Sequence, residues 1–294
     1  GVDTRSVAVD NIESVEVITG VPSAEYGDLN SGMVKINTRK GRTPVNLTFS
    51  VNPRTYQTLV SKGIYLQENN GVLNLSAEWA RAVKKLISPY ESYTRSGLTL
   101  SYSNTFAKIL RFEAGFTGNI GGMDSKDDPD AFTGEYEKER DNVFRGNTSL
   151  TWLLNKSWVT NLKLDASVNF NDNLYHYHKY ESFASNQPAV HAEQEGYFLA
   201  ERLPLTYFSD QITDSKELDF AASLKYNWNK RWDDWKSLLK AGVQWKANGN
   251  VGQGEYYEDP ALAANGYRPR PYTDYPFMHN LSVYAEEQVT IPIA

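Results

Sequence analysis

His176-Tyr177-His178 places two imidazoles on one side of an extended segment, with Asp172 shortly before them. Nitrogen and oxygen donors so arranged suit a transition-metal dication, which takes about four such ligands. No third ligand stands at a workable spacing, so a polar loop is the ordinary reading and no metal site is assigned. Asp124, Asp127, Asp128 and Asp130 form an acidic cluster in an expected long loop. Carboxylate oxygens are what calcium takes, but the spacing is not that of an EF-hand, and a solvated loop accounts for them. Glu113, Asp165 and Asp219 fall on polar strand faces and resemble paired glycosidase carboxylates only superficially. No nucleophile elbow, zinc-protease helix or phosphate-binding loop is present. We therefore expect no catalytic residue, no cofactor and no enzyme activity.

The chemistry that remains is recognition. One expected loop carries Tyr175, Tyr177, Tyr180, Tyr197 and Tyr207; another carries Tyr256, Tyr257, Tyr267, Arg268, Arg270, Tyr272 and Tyr275. Tyrosine offers contact area and a polar tip at small entropic cost. Mutual packing of the loops is an equal reading. Tyr175, Tyr177, Tyr256, Tyr257, Arg268 and Arg270 are the candidate recognition residues.

The elements that must position them read as strands. Leu162, Leu164, Ala166, Val168 and Phe170 alternate with Lys163, Asp165, Ser167 and Asn169. Leu218, Phe220, Ala222, Leu224, Tyr226 and Trp228 alternate with Asp219, Ser223, Lys225 and Asn227. Similar runs lie around Leu75, Leu100, Phe112 and Val243. This period of two marks strands with one apolar and one polar face. Asn52-Pro53-Arg54 and Glu68-Asn69-Asn70-Gly71 close the first two hairpins, and the later connections alternate between long and short. The short ones fall at Ala107-Lys108, Asn155-Lys156 and Lys230–Lys236; the long ones at 84–92, 122–140, 172–216 and 250–278. Short turns on one side and long loops on the other suit a membrane β-barrel. Trp152, Trp158, Trp228, Trp232 and Trp235 gather at the short-turn end, where an interfacial aromatic girdle would place them. Clamps at hairpin ends are the plainer reading. The chain has 294 residues, no cysteine and a net charge of -6 without a basic patch, so disulfides, thiolate chemistry and nucleic-acid binding are not expected. No apolar run is long enough for a transmembrane helix, and no signal peptide opens the chain, which is expected to start at a mature or internal residue.

Residues 12–41 differ from the rest. Ile12-Glu13-Ser14-Val15-Glu16-Val17-Ile18-Thr19-Gly20-Val21-Pro22-Ser23-Ala24-Glu25-Tyr26-Gly27, then Ser31-Gly32-Met33-Val34-Lys35-Ile36-Asn37-Thr38-Arg39-Lys40-Gly41, resembles the end of the plug domain of TonB-dependent outer-membrane receptors, in a form like that of Bacteroidota. Glu16, Gly20, Ser23, Tyr26, Gly27, Gly32, Ile36, Thr38 and Gly41 fall on matching positions, in structural roles; Ser31 replaces the usual first glycine of a pair. The resemblance implies an all-β fold. Residues 1–41 would be the C-terminal part of the plug domain, and 42–294 the first portion of a transmembrane antiparallel β-barrel with about 22 strands when whole. It implies a receptor in the bacterial outer membrane that imports a scarce ligand, with outer-membrane lipid, the TonB energy-coupling complex and a surface lipoprotein as partners. The alternative is a transport-inactive barrel that acts as scaffold in an outer-membrane assembly. About ten strands are too few to enclose a plug, so the first and last should not pair. Leu75, Phe112, Leu164 and Leu224 should face outward, and residues 1–41 should lie under cover.

Overall fold

The computed structural model describes residues 12–18, 33–38, 41–67, 70–87, 90–126, 130, 133–189, 197, 202–232, 235–263 and 267–291. Two antiparallel sheets account for the strands. Among the described residues, β1 (Ile12–Ile18) pairs with β2 (Met33–Thr38) alone. The second sheet starts with β3 (Thr43–Asn52), β4 (Thr55–Tyr65), β5 (Val72–Val83), β6 (Glu91–Phe106) and β7 (Leu110–Ser125). It continues with β8 (Tyr136–Lys156), β9 (Val159–Ser182), β10 (Thr206–Trp232), β11 (Trp235–Asn250), β12 (Gly254–Tyr257) and β13 (Met278–Thr290). The path follows chain order from β3 to β11 and ends on β13, while β12 pairs with the far end of β10. Two 3-10 turns, Pro260–Leu262 and Tyr272–Asp274, interrupt the stretch between β12 and β13.

Local chemistry explains the short turns. Asn52 accepts the backbone N–H groups of Arg54 and Thr55 at 3.0 and 2.8 Å, closing the β3–β4 hairpin. Ala107 and Lys108 both take positive φ in the three-residue connection between the paired Phe106 and Leu110, where the Ile109 N–H donates to the Phe106 carbonyl at 3.1 Å. At the β8–β9 turn the Trp228 indole donates to the Ser157 carbonyl at 2.8 Å, and the Tyr226 hydroxyl donates to the Trp158 carbonyl. Trp228 packs edge-on against Trp232, and the Lys230 ammonium lies over both rings. Trp228 is thus a hairpin clamp that ties β10 to the neighbouring turn. The girdle reading is set aside.

Strand alternation follows the sequence. Leu164 stands between Leu150 and Leu224 in one row, and Val168 beside Phe220 in another. Leu75, Leu164 and Leu224 are exposed, and Phe112 is partly covered. The strands also run further than hydrophobic alternation marks. β9 continues to Ser182 and β10 begins at Thr206, shortening the expected loop from 172–216 to 183–205. Beyond Phe170 both faces turn polar and the periodic signal fades, yet the backbone ladder continues without a break. At about 3.3 Å per residue, β10 with its 27 residues is ~90 Å long.

The barrel expectation is corrected here. The strands form an open sheet and not a barrel wall. β3 and β13 are its two edges, and no pairing joins 281–290 to 45–51, as expected of the first and last strands. Alternation and turn length specify hairpins with two distinct faces, which an open sheet satisfies as well as a barrel does. The plug expectation is corrected as well. Val15 and Val17, which were expected under cover, are 52% and 64% exposed on a separate two-stranded sheet. Of the motif residues, Gly20, Ser23, Tyr26, Gly27 and Gly32 lie outside the described residues. Glu16 is exposed on β1, Ile36 and Thr38 belong to β2, and Gly41 takes a φ of 132° just before β3.

Candidate functional site

The long ends of β8, β9 and β10 build two sites, one on each face of the sheet. On the polar face the rows are Glu139–Tyr175–Thr213, Asp141–Asn173–Ser215, Val143–Asn171–Glu217 and Arg145–Asn169–Asp219. They line a groove of about 680 Å³. A hydrogen-bond relay sets its floor. Arg145 donates to Asn169, which donates to Asp219, each at 3.2 Å; Asn171 donates to Glu217, also at 3.2 Å. The amide oxygens of Asn171 and Asn173 are buried and accept no hydrogen bond among the described residues. Four carboxylates against one guanidinium make the groove acidic.

Tyr175 and Tyr177 stack at its upper end, centroids 6.5 Å apart and planes 9° from parallel. Burial, with the hydrogen-bonded carboxylate of Glu139, pushes the Tyr175 phenol up to about 12. Burial and the Glu137 carboxylate raise Tyr177. Both rings therefore stay neutral at physiological pH. Tyr257 shares their row across Gln211, whereas Tyr256 points to the other face beside Ile212. Tyr257 meets Tyr267 edge-on at 4.9 Å. Arg270 forms an isolated bridge with Glu255, and exposed Arg268 donates to the Tyr267 carbonyl. Of the six candidate recognition residues, three share the polar face, all of them on strands; Tyr256 and the two arginines lie elsewhere.

On the opposite face, His178 faces Asp210 and Tyr136, while His176 faces Ile212 and Lys138. The His176 Nε2–H and the His178 Nδ1–H both donate to Asp210 Oδ1, at 2.7 and 2.8 Å. Burial pushes the Asp210 carboxyl up, but the two imidazole bonds outweigh it and hold it below the ordinary range. His178 is stacked between Tyr136 at 4.7 Å and Phe208 at 4.8 Å. Glu258 joins through its backbone N–H, which donates to the Asp210 carbonyl at 3.0 Å. Ligand atoms of His176, Asp210 and Glu258 lie within 4.8 Å of one another. The sequence offered the histidines but paired them with the wrong acid. Asp172 is bound instead by Arg140 at 2.7 Å and Asn142 at 3.3 Å. Asp210 and Glu258 were missed because only the register of β9 on β10, and of β12 on β10, brings them to the imidazoles.

The other acidic candidates separate. Asp124 ends β7 and reaches Lys126 at 3.5 Å; Asp130 is exposed, and Asp127 and Asp128 lie outside the described residues. Glu113 pairs with Arg111 at 2.7 Å. Asp165 pairs with Lys163 at 3.0 Å and Lys225 at 3.1 Å. Burial pushes Asp165 up, but hydrogen bonds from Ser149, Lys163 and Lys225 outweigh it and hold its carboxyl below 3.8. A carboxyl lowered on folding adds stability above its unfolded value, and that stability is lost as pH falls through the folded one. Asp165→Asn should therefore be less stable than the parent at about pH 6, with the gap closing towards about pH 2. Thermal melts of both proteins across that range check this; a gap independent of pH contradicts it.

No family model matches the chain, and no curated protein matches it. The resemblance to TonB-dependent receptors is withdrawn on that finding. The import and scaffold functions, the outer-membrane location and the lipid, TonB and lipoprotein partners rested on that resemblance and on a barrel, and they are withdrawn with it.

Proposed function

We propose that the chain binds a neutral, hydroxyl-rich ligand of saccharide type in the groove across β8, β9 and β10, and leaves it chemically unchanged. The observation that carries this reading is the row of fixed polar groups along the groove: Asn169 and Asn171 hold Asp219 and Glu217 at 3.2 Å, beside the paired rings of Tyr175 and Tyr177. Carboxylates so held accept from ligand hydroxyls, and hydrogen bonds to charged groups contribute about 1.5–3 kcal/mol each. The excess of carboxylates disfavours an anion. The parallel phenol rings of Tyr175 and Tyr177 offer flat apolar area to the C–H face of a sugar ring. The groove's volume is within the range of small-ligand sites, about 300–1,000 Å³. Its acids serve as fixed acceptors: Asp219 and Glu217 are each held by an asparagine amide, an arrangement that suits positioning and not proton transfer.

Titration calorimetry with a panel of neutral oligosaccharides tests the reading, with a polyamine as the cationic comparison. We expect saturable binding of at least one oligosaccharide, weakened about tenfold by Asn171→Ala and similarly by Tyr175→Ala. The sugar should be recovered intact by mass spectrometry. Binding of the polyamine alone, or sugar binding indifferent to both substitutions, overturns the assignment, and a cleaved sugar overturns the non-catalytic part.

A further inference from the structure

We propose that His176, His178, Asp210 and Glu258 form a binding site for a transition-metal dication of the zinc class, which clips the chain after β12 onto the β9–β10 ladder. The site lies on the opposite face from the groove and does not depend on how that groove is used.

Three observations carry the inference. First, two imidazoles from alternate positions of β9 direct a ring nitrogen at the same oxygen of Asp210, 2.7 and 2.8 Å away. A carboxylate needs no second imidazole to be satisfied, whereas convergence of nitrogen and oxygen donors on one point is what a metal requires. Second, Glu258 brings a further carboxylate: His176, Asp210 and Glu258 offer ligand atoms within 4.8 Å of one another, and His178 reaches the same Asp210 oxygen at 2.8 Å, a nitrogen and oxygen mixture suited to zinc, cobalt or nickel. The two acids balance the charge of a dication, while the nearby Lys138 ammonium rests over the Tyr136 ring at 4.9 Å. Third, the ligands are pre-arranged. His178 is clamped between Tyr136 and Phe208, which fixes the ring plane and shields one side from water. Bonds of about 2.0–2.2 Å at tetrahedral angles set ligand atoms ~3.4 Å apart. The imidazole–carboxylate contacts need to open by a fraction of an ångström and Glu258, within 4.8 Å, to close in, both by side-chain rotation.

The proposal gives the ion a defined role. β12 is four residues long; its ladder is on β10, over Gln211–Asp214, with a single further bridge from Glu255 to Arg270. Glu258 follows directly, at the start of the connection to β13. Bridging Glu258 to the β9 histidines would fasten that connection across three strands.

The test uses the whole chain after chelator dialysis. Cobalt(II) is followed by its visible absorption and zinc(II) by calorimetry. One equivalent of either should bind, and His176→Ala and Asp210→Asn should each weaken binding by more than about tenfold. Zinc should also slow proteolysis within residues 259–277 of the parent and not of Glu258→Gln. Because Glu258 is exposed, that variant keeps its fold and separates lost binding from unfolding. Absence of stoichiometric binding, or binding unchanged by His176→Ala, overturns the site. Zinc protection that persists in Glu258→Gln overturns the clip.

Discussion

Arg95→Met is expected to destabilise the sheet by about 3–5 kcal/mol, more than removal of any exposed charge in the molecule. Arg95 on β6 binds Glu78 on β5 at 2.9 Å, with the two side chains only 13% and 6% exposed. Gly97 makes room for the pair: a Cβ there would lie 2.8 Å from Glu78 Cγ and 2.5 Å from the Asn119 side chain. Removing the guanidinium leaves a carboxylate in a site with little water, and the desolvation already spent on it is no longer offset. The pair itself is not a large net stabiliser. Glu78 Oε2 and Arg95 Nε are buried without partners, so part of its hydrogen-bonding capacity is wasted. The double variant Glu78→Leu/Arg95→Met should therefore recover most of the loss. Urea denaturation of the parent, both single variants and the double variant measures the cycle. A single-variant loss under about 0.5 kcal/mol would place this pair with exposed ion pairs and refute the argument.

That pair shows what the sequence can and cannot convey. Glu78 reads correctly as a polar-face residue of an alternating strand, opposite in phase to Leu75, Ala77 and Trp79. Its partner depends on register, because Glu78 stands opposite Gly97 and reaches Arg95 diagonally. The same division runs through the molecule. Faces were legible wherever one side was apolar, as from Leu162 to Phe170. Tight turns were legible where asparagine or a short reversal set them, at Asn52 and at Ala107-Lys108. The upper ends of β9 and β10 were not, because Asn171, Asn173 and Tyr175 alternate with Asp172, Leu174 and His176 and little hydropathy contrast remains. Strand persistence there comes from backbone hydrogen bonds and neighbouring strands, which have no local signature.

The groove and the histidine cluster were hidden for the same reason. Tyr175, Tyr177, His176 and His178 were singled out as chemistry-bearing residues, but they were assigned to a loop. As strand residues they divide strictly by parity, the tyrosines to one face and the histidines to the other. The barrel was a larger misreading. Alternating connection lengths and tryptophans at one end fit both a barrel wall and an open meander of hairpins, and nothing local separates the two. Trp228 illustrates the ambiguity: its amphipathic ring suits a membrane interface and equally suits a hydrogen bond to the Ser157 carbonyl at a hairpin end, which is where it is found.

Gly122→Ala should be the most damaging single-methyl change, costing about 3 kcal/mol or more through backbone displacement. Gly122 takes a φ of 157°, and a Cβ built on it would lie 1.7 Å from the Glu139 carbonyl oxygen and 3.1 Å from Arg140 Cα. Those atoms are backbone of β8, so no rotamer change can relieve the overlap. Its neighbour Gly121 is bounded on the other side, with a Cβ position 2.3 Å from the Thr94 carbonyl oxygen of β6. Between them the β7–β8 ladder skips two residues, and the Asn142 side chain accepts the Gly121 N–H at 3.2 Å in place of a backbone partner. The strand is thus pinched between both neighbours where β8 begins to supply the groove and the polar cluster. Glu139 contacts Tyr175, and Arg140 holds Asp172. A methyl at residue 122 must push β8 away from β7 at that row, loosening Tyr175 as well as lowering stability. Gly118→Ala provides the comparison. Its Cβ would meet only side-chain atoms of Phe116 and Phe144, at 3.3 Å, and those rings can give way, so the cost should stay near about 1 kcal/mol. Denaturation midpoints of the two variants decide the matter, together with alkaline absorbance titrations read as differences from the matching Tyr175→Phe proteins, in which the raised Tyr175 transition should move down towards the ordinary tyrosine value in Gly122→Ala alone. Equal destabilisation of the two variants would mean that β8 yields as easily as a side chain, and the pinch would not be the constraint that aligns the site.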